Sequence, residues 1–144
     1  MAVATFTKYN AFIDELSKGG HNFSTPPTLK LALTNTAPNA ASDTVWNTTV
    51  APAPAAAAGY PAGGNTLTGV VGTTTAGVFK LVVADSVFTA TAGGIGPFRY
   101  AILYNTSATN KLIGFYDNAA SVTLADTDTF TFDADPTNGL FTIT

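Results

Sequence analysis

Cysteine is absent from this sequence, and histidine, tryptophan and methionine occur once each. Without a thiol there is no disulfide, no thiolate nucleophile and no sulfur ligand for a closed structural zinc site. His21 is the only imidazole, so a zinc site of three histidines within one chain is excluded as well. It sits between Gly20 and Asn22, a helix-exit setting, and no Gly-x-Ser-x-Gly elbow accompanies it, so neither a Ser-His-Asp triad nor other catalysis is expected. Charge is scarce too: 10% of residues are charged, against roughly 25% in an average soluble domain. Lys8, Lys18, Lys30, Lys80, Arg99 and Lys111 are scattered singly and form no basic stripe, so nucleic acid is not an expected partner. No run approaches the ~20 apolar residues of a membrane span. Residues 1–8 lack the basic and apolar blocks of a secretory signal, which predicts synthesis in a cytoplasm.

What is present is apolar and uncharged. Hydrophobic residues make up 46% of the 144-residue chain, enough to bury the core of one domain. Thr, Asn and Ser must then supply most of the polar surface. With so little like-charge repulsion, such a surface tolerates close packing against neighbouring subunits.

The first segment is the best helix candidate. Tyr9, Phe12, Ile13 and Leu16 fall at i, i+3, i+4 and i+7, Thr7 is placed to cap them, and Gly19-Gly20 ends the run. A short helix over about residues 8–18 is marginal alone and must dock on its own sheet or on a neighbour. After Pro26-Pro27, Leu29, Leu31 and Leu33 alternate with Lys30, Ala32 and Thr34, the pattern of a half-buried strand. Residues 36–65 have little periodicity and form a long Pro/Ala-rich loop holding Trp46, Pro52, Pro54, Tyr60 and Pro61. Two readings fit it: a loop laid over its own sheet with Trp46 and Tyr60 as pins, or an arm ordered by a partner.

The remainder predicts a meander of strands: 65–71, 77–84, 86–91, 98–104, 111–116, 122–124, 129–133 and 140–144. Gly93-Gly94-Ile95-Gly96-Pro97 breaks it, and residues 136–139 form a tight turn. This spacing predicts one mainly β domain over residues 1–144, a single antiparallel β-sandwich (jelly-roll-like) with one short N-terminal helix. The glycine-rich breaker lacks the lysine and hydroxyl of a phosphate-binding loop. Asp126, Asp128, Asp133 and Asp135 cluster without EF-hand spacing and read as solvated edge protection rather than a calcium site. No metal or cofactor is expected.

Several segments together resemble a family of small tailed-bacteriophage virion proteins: Thr7-Lys8-Tyr9-Asn10, His21-Asn22-Phe23, and Leu29-Lys30-Leu31-Ala32-Leu33-Thr34-Asn35-Thr36-Ala37-Pro38. Gly59-Tyr60-Pro61-Ala62-Gly63-Gly64-Asn65, Ile95-Gly96-Pro97-Phe98-Arg99-Tyr100-Ala101 and residues 133–144 fit the same pattern, so the similarity runs along nearly the whole chain. The resemblance implies a structural protein of the particle, plausibly a head decoration (cement) protein, with no catalytic residues. The expected partner is a major capsid protein, contacted through Trp46, Pro52, Pro54, Tyr60 and Pro61, by a dimer or trimer on the capsid surface. A tail, neck or fibre component that binds a host surface or glycan is the alternative. An enzyme is not expected.

Overall fold

Residues 4–47 and 59–144 are described by the structure, a computed structural model. The elements run β1 (Thr5–Lys8), α1 (Asn10–Ser17), β2 (Leu29–Thr34), β3 (Asn65–Thr66), β4 (Val71–Thr75), β5 (Val78–Val82), β6 (Ser86–Thr89), β7 (Ile95–Asn105), a 3-10 turn (Thr106–Ala108), β8 (Lys111–Leu124), β9 (Thr129–Phe132) and β10 (Phe141–Ile143). The fold is mainly β and antiparallel, with one α-helix among the described residues.

Five strands form one sheet in the order β1-β8-β7-β2-β3. Its frame is the long hairpin of β7 and β8, with β2 added along β7 so that Leu31 faces Leu103 and Leu33 faces Ala101. Opposite lie a three-stranded sheet, β10-β5-β4, and a two-stranded sheet, β6-β9. These two smaller sheets are pieces of one ribbon. β5 and β6 follow each other and pair with β10 and β9 in reverse order, Leu81 with Phe141 and Ser86 with Phe132. The ribbon is interrupted where residues 133–140 bulge out past residues 83–85, and the Ala134 amide donating to Asp85 Oδ1 (2.9 Å) ties the break. β4 adds to β5 through a two-residue turn in which Ala76 (φ 51°) and Gly77 (φ 81°) are left-handed, as a tight hairpin demands.

Period two sends alternate residues to opposite faces. The inward set, Leu29, Leu31, Leu33, Ala101, Leu103 and Ile113, meets Leu81, Phe88, Phe132 and Phe141 from the ribbon in the main core. The outward set of the same sheet is apolar as well. Ala32, Ile102, Tyr104, Leu112 and Phe115 gather with Tyr9 into a second cluster, covered in part by Ala40 and Trp46. The expectation of a half-buried β2 is therefore corrected: Ala32 and Thr34 are as buried as the leucines between them, because the chain after β2 folds back over them.

The helix is shorter than the predicted 8–18, and Thr7 does not cap it. Thr7 belongs to β1, paired with Phe115, and Tyr9 holds the N-cap position without a side-chain cap. β-branched Thr5 and Thr7 favour extended backbone, and Phe6 between them packs on Tyr116 (ring centroids 5.0 Å) and Phe141 (6.0 Å). Of the expected apolar stripe, Tyr9, Phe12 and Leu16 pack inward, whereas Ile13 is 44% exposed. β8 absorbs two predicted strands, 111–116 and 122–124, and β7 begins at Ile95, inside the predicted breaker. Proline is tolerated there because the ladder is irregular between Ile95 and Phe98. Predicted strand 65–71 is instead a two-residue β3, a connection, and the start of β4.

Candidate partner-binding surface

Trp46 is held by its own domain. Its amide donates to the Asn110 carbonyl (2.8 Å), and the Leu112 amide donates to the Thr44 carbonyl (3.1 Å), which straps residues 44–46 across the β7–β8 turn. The indole stacks on Tyr104 at 4.8 Å and 8°. The Tyr104 hydroxyl donates to the Gly63 carbonyl (2.7 Å), and Lys30 Nζ donates to the Ala62 carbonyl (3.1 Å). Trp46 and residues 61–64 thus meet over the outer face of the large sheet, with Pro61 exposed beside them. Trp46 Nε1 is buried without a hydrogen-bond partner among the described residues.

Tyr60 does not belong to this surface. It is 1% exposed, its ring lies parallel to Phe88 at 5.8 Å, and its hydroxyl accepts the Leu33 amide (2.8 Å). Burial pushes its pKa up to about 12. As an exposed contact aromatic Tyr60 is therefore corrected to a core residue: a ring flanked by glycine and proline can dip inward from a loop as readily as outward. Pro52 and Pro54 lie outside the described residues. On either side of them, at Trp46 and Tyr60, the chain is pinned to its own sheets.

Two other regions stand open. The first is a groove of about 430 Å³ along the side of the sandwich, where β1 and β8 face β9. Phe6, Tyr116, Phe130 and Phe132 line it, and Asp133 and Asp135 stand at its rim. Both Asp135 oxygens are engaged by the 137–138 turn, whose Asn138 amide leads in holding that carboxyl below the usual range. Asp128 is likewise turned onto the Ala125 amide (2.9 Å). Among the described residues no group of three or more His, Asp or Glu side chains is placed to hold a metal.

The second open region is the outer face of the ribbon layer. Inward from it point Leu81, Phe88, Phe132 and Phe141; outward point Val71, Thr73, Thr75, Val78, Val87, Thr89, Thr129 and Thr131. Three of the five exposed large hydrophobics among the described residues, Val71, Val78 and Val87, lie here. Lys80 is the one cation on β4, β5, β6, β9 or β10, and its ammonium donates to the Thr137 carbonyl (2.8 Å). Sequence reasoning reached the threonine-rich exterior in general but did not locate it. The signal was the register of Thr129-Phe130-Thr131-Phe132 against Ser86-Val87-Phe88-Thr89, in which small β-branched residues alternate with rings.

His21 lies away from all three regions, buried at 4% exposure between Phe12 and Phe23. Asn105 Nδ2 stands 3.4 Å from its Nδ1, while His21 Nε2 and Asn105 Oδ1 have no hydrogen-bond partner among the described residues. Burial first, and the nearby Lys111 ammonium second, lower its pKa.

The class these observations define is an antiparallel β-sandwich whose large sheet is clothed on both sides and whose small layer is bare outside. Comparison of the chain with protein-family models, with curated proteins and with solved structures finds no match to any of the three.

Proposed function

We propose that this chain is a bacteriophage virion structural protein, a capsid decoration (cement) protein that binds the major capsid protein lattice and stabilises it without catalysing a reaction. The observation that carries the reading is the outer face of the ribbon layer, an exposed field of valine and threonine in which Lys80 is the one cation. Covering such a face costs little desolvation of charge, and β-branched side chains on a pleated surface lose little rotamer entropy when another protein lies on them. A stable contact of this kind buries on the order of 1,000 Å² or more. The overall scarcity of charge and the likeness of the sequence to small virion proteins support the same reading, in which a homo-oligomer would multiply weak contacts through effective concentration.

Removing residues 51–61 is not a clean test, since that deletion takes Tyr60 out of the core. A better one adds purified protein to phage heads that lack it and measures co-sedimentation. Wild type is expected to bind, and Val87→Glu combined with Thr131→Lys, an opposite-charge pair facing each other on β6 and β9, is expected to abolish binding with a nearly unchanged melting temperature. Full binding by that variant would overturn the assignment of the face.

The tail, neck or fibre alternative draws on a different observation, the groove with four aromatic rings and a carboxylate rim, which has the make-up of a small-ligand or glycan site. Copy number per particle separates the two: many copies spread over the head mean decoration, and a few at one vertex mean tail or neck.

A further inference from the structure

We infer that β4 is the homodimer contact of this protein, pairing antiparallel with β4 of a second copy about a two-fold axis through Thr73. The inference deepens the oligomer named above and rests on that part of the reading. Each exposed sheet edge in a soluble protein is normally blunted by shortness, a charge, a proline or a bulge. β3 is two residues long, β1 ends in Lys8, and the uncharged edges of β10, β6 and β9 are shorter than β4, at three, four and four residues. β4 has none of these devices: Val71-Gly72-Thr73-Thr74-Thr75 is five residues of uncharged, proline-free strand, paired in regular register to β5 alone, and all five are exposed. No backbone group of these residues bonds elsewhere among the described residues. The tight turn at Ala76-Gly77 sets β4 in register on β5, which leaves its outer row of amides and carbonyls in line for another strand.

A second copy fits this edge. A two-fold axis at Thr73 sets Val71 against Thr75 and Gly72 against Thr74, pairs of small residues that leave no clash and bring threonine hydroxyls together. The result is a continuous six-stranded sheet made from two three-stranded ones. Charge is compatible as well. The nearest cation, Lys80, lies directly across from Thr73 on β5, so the two copies of that position stand three strand spacings apart, about 14 Å. That exceeds the ~8 Å screening length at physiological salt, and each ammonium is turned away, toward the Thr137 carbonyl.

Sedimentation equilibrium of the full chain over a wide concentration range tests this. Wild type is expected to dimerise. Thr73→Lys and Thr73→Glu, which place like charges face to face on the axis, should each weaken dimerisation about tenfold or more. An equimolar mixture of the two should recover dimers, and Thr73→Val should behave as wild type. At concentrations where each is monomeric all four should keep the wild-type fold, with Thr73→Lys melting slightly lower and Thr73→Glu slightly higher because the position faces Lys80 across β5. A wild type that stays monomeric or forms a trimer, or a dimer indifferent to both charged variants, or a mixture that fails to recover, overturns the contact. Head binding by a monomeric wild type would leave the decoration reading standing while removing this interface.

Discussion

The two layers of the sandwich use the same residue types to opposite ends. In the five-stranded sheet, Leu103 and its neighbour Ile102 point to opposite faces and both are buried, one between the layers and one under Trp46 and Tyr9. In the ribbon opposite, Phe88 is buried and its neighbour Val87 is 50% exposed. A strand covered on both sides contributes to stability through nearly every side chain; a strand covered on one side has half its residues free for another purpose. The comparison places folding energy in the large sheet and available surface in the small layer.

The largest expected effect tests that division directly. Leu103→Ala removes a side chain with no exposure and should cost about 2–5 kcal/mol, because the surrounding strands cannot collapse into the space. Val87→Ala, on the bare face, should change stability by no more than about 0.5 kcal/mol. Both are read from urea or guanidinium unfolding midpoints. A cost above about 1.5 kcal/mol at Val87 would mean that the outer face is already covered within the isolated chain, and the contrast would fail.

Trp46 sharpens the boundary between the two roles. Its stack on Tyr104 makes it a fastener of the large sheet, so Trp46→Ala should lose about 1–3 kcal/mol. If it were chiefly a partner contact, the same change would leave the melting temperature alone and weaken particle binding instead. Tyr60→Phe carries the comparison into the core. It deletes one oxygen and leaves the buried Leu33 amide without its acceptor, an expected loss of about 1–2 kcal/mol by the same unfolding measurement. A neutral outcome would place a water or another acceptor at that amide.

The strands were legible where alternation was strict and turn residues flanked it: β2, β5, β6 and β9 sit where Leu29-x-Leu31-x-Leu33, Val78-Phe79-Lys80, Val87-Phe88 and Thr129-Phe130 predict them. Ends set by tertiary pairing were not. β7 extends back through Gly96-Pro97 because β8 is long enough to pair with it there, and β1 forms at Thr5 because β8 offers an edge. Neither cause is local. The expected site fared unevenly for a similar reason. An aromatic residue in a loop carries no periodicity, so nothing in Gly59-Tyr60-Pro61 distinguishes a ring turned toward Phe88 from one turned to solvent. A threonine-rich exterior was readable from composition, but where it lies depends on β5–β10 and β6–β9 pairing across residues far apart in the chain. The groove is less local still, since Phe6 and Phe132 are brought to one place only by the closing of the two layers.

The smallest effect comes from His21, which belongs to neither surface and tests whether the junction of α1, β7 and β8 is as dry as the core. The ring is buried among Phe12, Phe23 and Asn105, with the Lys111–Glu15 ion pair as the charged groups near it. Its folded pKa lies below the ordinary 6.5. At pH values between the two, the unfolded chain binds a proton that the folded chain refuses, so protonation favours unfolding. The histidine's contribution is therefore fully present above about pH 6.5 and is lost as pH falls through that value toward the folded pKa. Unfolding free energy should be level near about pH 7.5 and decline below about pH 6.5, with a slope no steeper than about 1.4 kcal/mol per pH unit, the ceiling for one proton. His21→Phe should remove the slope whatever it does to the absolute stability, since no other histidine or cysteine titrates in this range. A stability that rises on acidification from pH 7 to 5.5 would mean that Glu15 holds the protonated ring, and an identical slope in the variant would mean that other groups carry it.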